Sequence, residues 1–132
     1  MSTEYNVEVQ KLFVEFLAQD QDLFVRVNGI MDPEYFDRTL RKTVNFIKTH
    51  ADEYGALPKP EQVEATTGFK PSGIPDVDDR HKKWFIDEFE QFCKQKALEG
   101  AILKSTDLLE KGDFGAVEKT VKDAVQLGLA KH

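Results

Sequence analysis

Apolar residues recur at helical spacing from the beginning of the chain. Val9, Leu12, Phe13, Phe16 and Leu17 fall at i, i+3, i+4, i+7 and i+8, the spacing of one buried helix face. A short second helix is predicted over about 20–27, with Leu23, Phe24 and Val27 inward. Asn28-Gly29 stops it, because both residues tolerate the left-handed conformation that closes a helix. Asp32-Pro33-Glu34 reads as the start of a longer helix: Asp32 accepts the orphan amides, Pro33 has no amide to leave unbonded, and Glu34 suits the positive helix end. Its inward stripe is Phe36, Leu40, Val44, Ile47 and Ala51, and it closes near Tyr54-Gly55. Pro58-Lys59-Pro60 is a loop, followed by a short helix around 61–65 that Gly68 ends.

Residues 68–77 are the most loop-like stretch and the expected internal boundary. Beyond them the pattern predicts a helical hairpin: one long helix over about 79–111, a stop and cap at Gly112-Asp113, and a second arm over about 114–129. The apolar residues of the second arm are Phe114, Val117, Val121, Ala124, Val125 and Gly128, and they occupy one arc of about 100°. The long arm carries two stripes. Ile86, Phe89, Cys93, Ala97, Ala101 and Leu108 form one, and Leu98, Ile102 and Leu109 form another beside it. In the second half of this helix the combined arc is roughly 200° wide, more than one neighbour covers. No alternating strand pattern, repeat or low-complexity run interrupts the helical reading. The expected fold is therefore all-α, a small helical bundle over 5–77 followed by a C-terminal hairpin over 78–129, in a single domain.

Totals narrow the function classes. A 132-residue chain with 40% hydrophobic and 32% charged residues has the balance of a globular domain. No run approaches the roughly 20 apolar residues of a membrane span, and the N-terminus lacks a signal-peptide pattern. The single cysteine, Cys93, excludes an internal disulfide framework and suits a reducing compartment, so a cytoplasmic location is expected. A net charge of −6 disfavours long-range attraction to nucleic acid. Two basic clusters, Arg38/Arg41/Lys42/Lys48 opposite the apolar stripe of the third helix and Arg80-His81-Lys82-Lys83 diluted by neighbouring acids, read as solvated faces or contacts for an acidic partner. Weak, non-specific DNA affinity is the expectation; sub-micromolar single-strand binding with a steep salt slope would contradict it.

Candidate chemistry is sparse. No Gly-Lys pair exists to build a nucleotide phosphate loop, so neither ATP hydrolysis nor a bound nucleotide is expected of this chain. No paired Cys or His spacing would hold zinc, and His50, His81 and His132 are far apart. Asp76, Asp78, Asp79 and Asp87 resemble a calcium loop only faintly. Arg80 stands where a ligand belongs and His81 where the sharp turn needs glycine, so helix capping is the better reading. Cys93 lies on the apolar stripe and reads as a packed thiol. No catalytic, cofactor-binding or metal-binding residue is assigned.

The order of these segments resembles the N-terminal domain of DnaB-type replicative DNA helicases, particularly phage forms. The resemblance is carried by the opening helix leading to Asp22-Leu23-Phe24, then by Met31-Asp32-Pro33-Glu34-Tyr35-Phe36 and Tyr54-Gly55-Ala56-Leu57-Pro58. The long helix continues it, with Trp84 and Phe92-Cys93-Lys94-Gln95-Lys96-Ala97. It spans about residues 7–129. The opening Leu12-Phe13-Val14-Glu15-Phe16-Leu17 departs from the small-residue pattern of bacterial members. The resemblance implies a non-catalytic collar domain in which hairpins pair as dimers and six copies form a ring. It also implies docking of a primase or helicase loader. ATP and magnesium would belong to a motor domain encoded beyond His132.

Two function classes follow. One is a helicase collar for subunit assembly and primase docking; the other is a stand-alone phage adaptor or regulator that binds a protein partner. The two-sided long helix points to self-association through Leu98, Ile102 and Leu109, whose end lies about 40 Å from the start of that helix, at 1.5 Å per residue.

Overall fold

The computed structural model describes residues 5–72 and 78–127, and among them every regular element is helical. Helix α1 (Val7–Gln19) is capped by the Asn6 side chain, which accepts from the Val9 amide. Helix α2 (Gln21–Val27) follows after a single residue, Asp20, whose carboxylate accepts from the Leu23 amide. The next predicted start divides in two. Asp32 and Pro33 open only one 3-10 turn (Pro33–Tyr35); Asp37 then caps the true α3 (Arg38–Tyr54) by accepting from the Thr39 amide and hydroxyl. Gly55, with φ 70°, closes α3, and Gly68, with φ 82°, closes α4 (Pro60–Thr67). Both are left-handed positions that L side chains rarely adopt. Asn28-Gly29 ends α2 differently from the expectation: Asn28 stays right-handed helical and Gly29 is not at positive φ. The chain there turns through short bonds from the Ile30 and Met31 amides to the carbonyls of Val27 and Asn28.

Helix α5 (Asp79–Glu110) is 32 residues long, about 48 Å, and α6 (Phe114–Val125) returns beside it. The part of the expected second arm beyond residue 127 lies outside the described residues. So do residues 73–77 of the expected loop boundary.

The core is built where α1, α2, α3 and the 3-10 turn meet the first half of α5. Phe13, Phe36, Phe85, Phe89 and Phe92 are fully buried there, with Leu17, Val27, Val44, Ile47 and Val63 around them. The α1 face is wider than its spacing predicts, because α1 packs against α2, α3 and α5. Gln10, Val14 and Ala18 join Phe13, Phe16 and Leu17 inside, while Leu12, expected inward, is 40% exposed. Buried Gln10 is satisfied at both ends: its amide nitrogen donates to the Tyr5 carbonyl (2.7 Å), and its oxygen accepts from the Asp37 amide (2.6 Å). This fixes the start of α3 against α1. Glu15 in turn accepts from the Ser72 amide and hydroxyl, holding the chain after α4 to α1.

The bundle core takes in α5 residues only as far as Cys93. Thus the expected boundary near 77 does not separate two cores; α5 completes the bundle with its first half and forms the hairpin with its second. No helix among the described residues is long and apolar enough to cross a membrane.

Candidate assembly interface

The second half of α5 packs chiefly against α6, and the 3-10 turn and the start of α3 lie across a crevice from Lys96, Glu99, Gly100 and Leu103. The contact is made by small side chains: Ala101 and Ser105 on α5 and Ala124 on α6 are buried there. The Ser105 hydroxyl donates to the Ala101 carbonyl at 2.7 Å, so it enters the interface without an unmet hydrogen bond. Gly112, with φ 73°, reverses the chain, and the Asp113 carboxylate caps α6 by accepting from the Ala116 amide.

This leaves the second stripe of α5 open. Leu98 is half-buried, Ile102 is 58% exposed and Leu109 53% exposed. On α6 the expected single inward arc is split. Val117 and Val121 are half-buried and Ala124 buried, but Phe114 is 68% and Val125 60% exposed. The facing helix thus covers only part of the α6 arc.

Helix geometry places these open edges on one side. At 100° per residue, Leu98, Ile102 and Leu109 lie about 70° round α5 from the line through Ala101, Ser105 and Leu108 that meets α6. Phe114, Val121 and Val125 lie about 90° round α6 from the line through Val117, Thr120 and Ala124 that meets α5. Both displacements have the same sense, and the helices run antiparallel, so the two edges fall on the same side of the hairpin. The result is one apolar face two helices wide. The opposite side carries Lys104 and Lys111 together with Lys119 and Asp123, the last two ion-paired at 2.9 Å. Phe114 and Val125 are therefore members of the face that periodicity alone assigned to the interior.

Most of the remaining candidate groups have structural partners. Asp78 caps α5, accepting from the Arg80 and His81 amides. Its carboxyl is held below the usual range chiefly by the His81 backbone bond and also by the Arg80 guanidinium. Among the described residues no group of three or more metal-ligating side chains converges. Cys93 is fully buried, and burial pushes its thiol far above the usual range, with Asp32 and Glu90 adding to the effect. In the second basic cluster, Arg80 and His81 face Asp78, Lys82 pairs with Asp20 and Lys83 with Asp87. In the first, Arg41 donates to the Phe36 carbonyl and pairs with Glu34, and Lys48 donates to Asn28; Arg38 and Lys42 are exposed. His50 is half-buried on α3, and His132 lies outside the described residues.

The chain matches no protein-family model, no curated protein and no solved structure.

Proposed function

We propose that this chain is the N-terminal collar domain of a DnaB-type replicative DNA helicase, a non-catalytic piece that joins subunits and receives a primase or loader. The observation that carries the reading is the apolar hairpin face of Leu98, Ile102 and Leu109, extended by Phe114 and Val125. Apolar surface left in water costs roughly 25 cal/mol per Å². A two-fold pairing of hairpins covers the same patch on both chains at once. The bundle leaves it uncovered, since Ile102, Leu109, Phe114 and Val125 are exposed in the single chain. The order of sequence segments that resembles the phage helicase domain supplies the biological setting.

The test is sedimentation of the chain and of an Ile102→Lys/Leu109→Lys double variant, with helix content followed by circular dichroism. Both positions are exposed in the single chain, so the variant keeps its helices. The expected result is a concentration-dependent dimer for the parent and a folded monomer for the variant. A parent that stays monomeric at high micromolar concentration refutes pairing through this face alone. A reading frame that continues past His132 into Gly-x-x-x-x-Gly-Lys-Ser/Thr separates a collar from a free-standing adaptor, and a stop codon directly after His132 contradicts the collar.

A further inference from the structure

We propose that the groove between α3 and α4 is a docking site for an arginine side chain carried by a basic segment of a partner protein. Phe46, His50 and Tyr54 are spaced i, i+4, i+8 and form a ladder of rings along one edge of α3. Their ring centroids are 5.9 Å apart for Phe46–His50 and 4.7 Å for His50–Tyr54. Tyr54, at the end of the ladder, is 66% exposed. Gln62, Ala65 and Thr66 of α4 form the opposite wall, and the groove encloses about 600 Å³.

Its polar lining carries hydroxyls of Thr49 and Thr66 and the Gln62 amide, whose oxygen already accepts from the Lys59 amide. The only formally charged lining residue is Glu53, whose carboxylate has no ion-pair partner among the described residues. His50 Nδ1 lies 2.9 Å from the Ala56 carbonyl oxygen. A carbonyl only accepts, so Nδ1 carries a proton and donates there. An exposed phenol ring beside a carboxylate without an ion-pair partner among the described residues suits a planar guanidinium, which stacks on the ring while its N–H groups reach the carboxylate. Two other surface crevices lack this imbalance. One is lined by Asp22, Asp79 and Asp87 against Arg26, Lys82 and Lys83, and another by Glu34, Asp37 and Glu99 against Arg38, Arg41 and Lys96. Nucleic-acid bases also stack on exposed rings, but their phosphates need cations, and this groove supplies none. Neither α3 nor α4 belongs to the hairpin, so the site is independent of the pairing face.

The experiment is a titration of the isotope-labelled full chain with the peptide Gly-Arg-Gly-Arg-Gly-Arg-Gly, followed by amide NMR shifts. The matched lysine and glutamate peptides and a short oligothymidine serve as the other arms. Saturable shifts confined to residues 46–54 and 62–66, tighter for arginine than for lysine, are expected. Tyr54→Leu keeps apolar bulk but removes the ring, and Glu53→Gln removes the charge. Each should weaken the arginine peptide by roughly three- to tenfold while leaving the helices intact. Shifts spread over other acidic surfaces, equal binding by the Tyr54→Leu chain, or preferential binding of oligothymidine at this groove would each overturn the proposal.

Discussion

Phe13 shows how much of this fold rests on single side chains. Its ring centroid lies 5.4 to 6.0 Å from those of Tyr5, Trp84, Phe85, Phe89 and Phe92, so this one residue of α1 meets four rings of α5. Phe13→Ala should cost about 3–5 kcal/mol, read as a lowered urea midpoint with unchanged slope. A loss under about 1 kcal/mol would mean that the aromatic cluster repacks around the gap. Asp78 makes a different contribution. Its folded carboxyl titrates below its unfolded value, so its stabilising effect is complete above that unfolded value, about 3.9, and is lost as pH falls through the lower folded one. Asp78→Asn keeps an N-cap acceptor but cannot titrate. Melting temperatures between about pH 5 and pH 2 should therefore fall less steeply in the variant than in the parent. Parallel curves would contradict this role.

Among the elements, the hairpin contact is the most demanding, because it depends on the absence of bulk. Ala101, Ser105 and Ala124 hold α5 and α6 close, and Ala101→Leu should destabilise by about 1–3 kcal/mol. The loss should be local: amide exchange in α6 accelerates while α1 and α3 keep their protection. Unchanged exchange in α6 would show that the helices separate without cost. The helices themselves were legible in the sequence: among the described residues, five of the six α-helices begin after an Asp or Asn whose side chain caps them, and glycines at positive φ close three. The exceptions have identifiable causes. Asp32-Pro33 and Asp37 are two start signals within one turn, and only the second has the Gln10 side chain bonded to its amide. Leu12 lies at the edge of a helix with three packing partners, so its outward position depends on where those partners sit. Phe114 and Val125 share an arc with Val117 and Ala124, and spacing cannot show which part of that arc the facing helix covers. The α3–α4 groove was hidden for a similar reason: the 46/50/54 spacing is visible, but its opposite wall comes from another helix.

At the scale of the whole molecule, α5 belongs to two bodies at once. Its first half completes an aromatic core, and its second half carries the hairpin beyond that core, with one side apolar and the other charged. The two-stripe pattern of α5 was readable from the sequence as a helix needing two partners. The structure supplies one of them, α6, and the proposed second chain is the other. The most direct measurement is cross-linking that distinguishes the two sides. Native Cys93 is fully buried, so a cysteine introduced at the surface is the accessible thiol. Ile102→Cys places it on the apolar face, and Lys104→Cys places it toward the charged side. With a short bis-maleimide, Ile102→Cys should give concentration-dependent covalent dimers and Lys104→Cys few. Equal dimer yields from the two variants, or monomer from both, would contradict pairing through the apolar face.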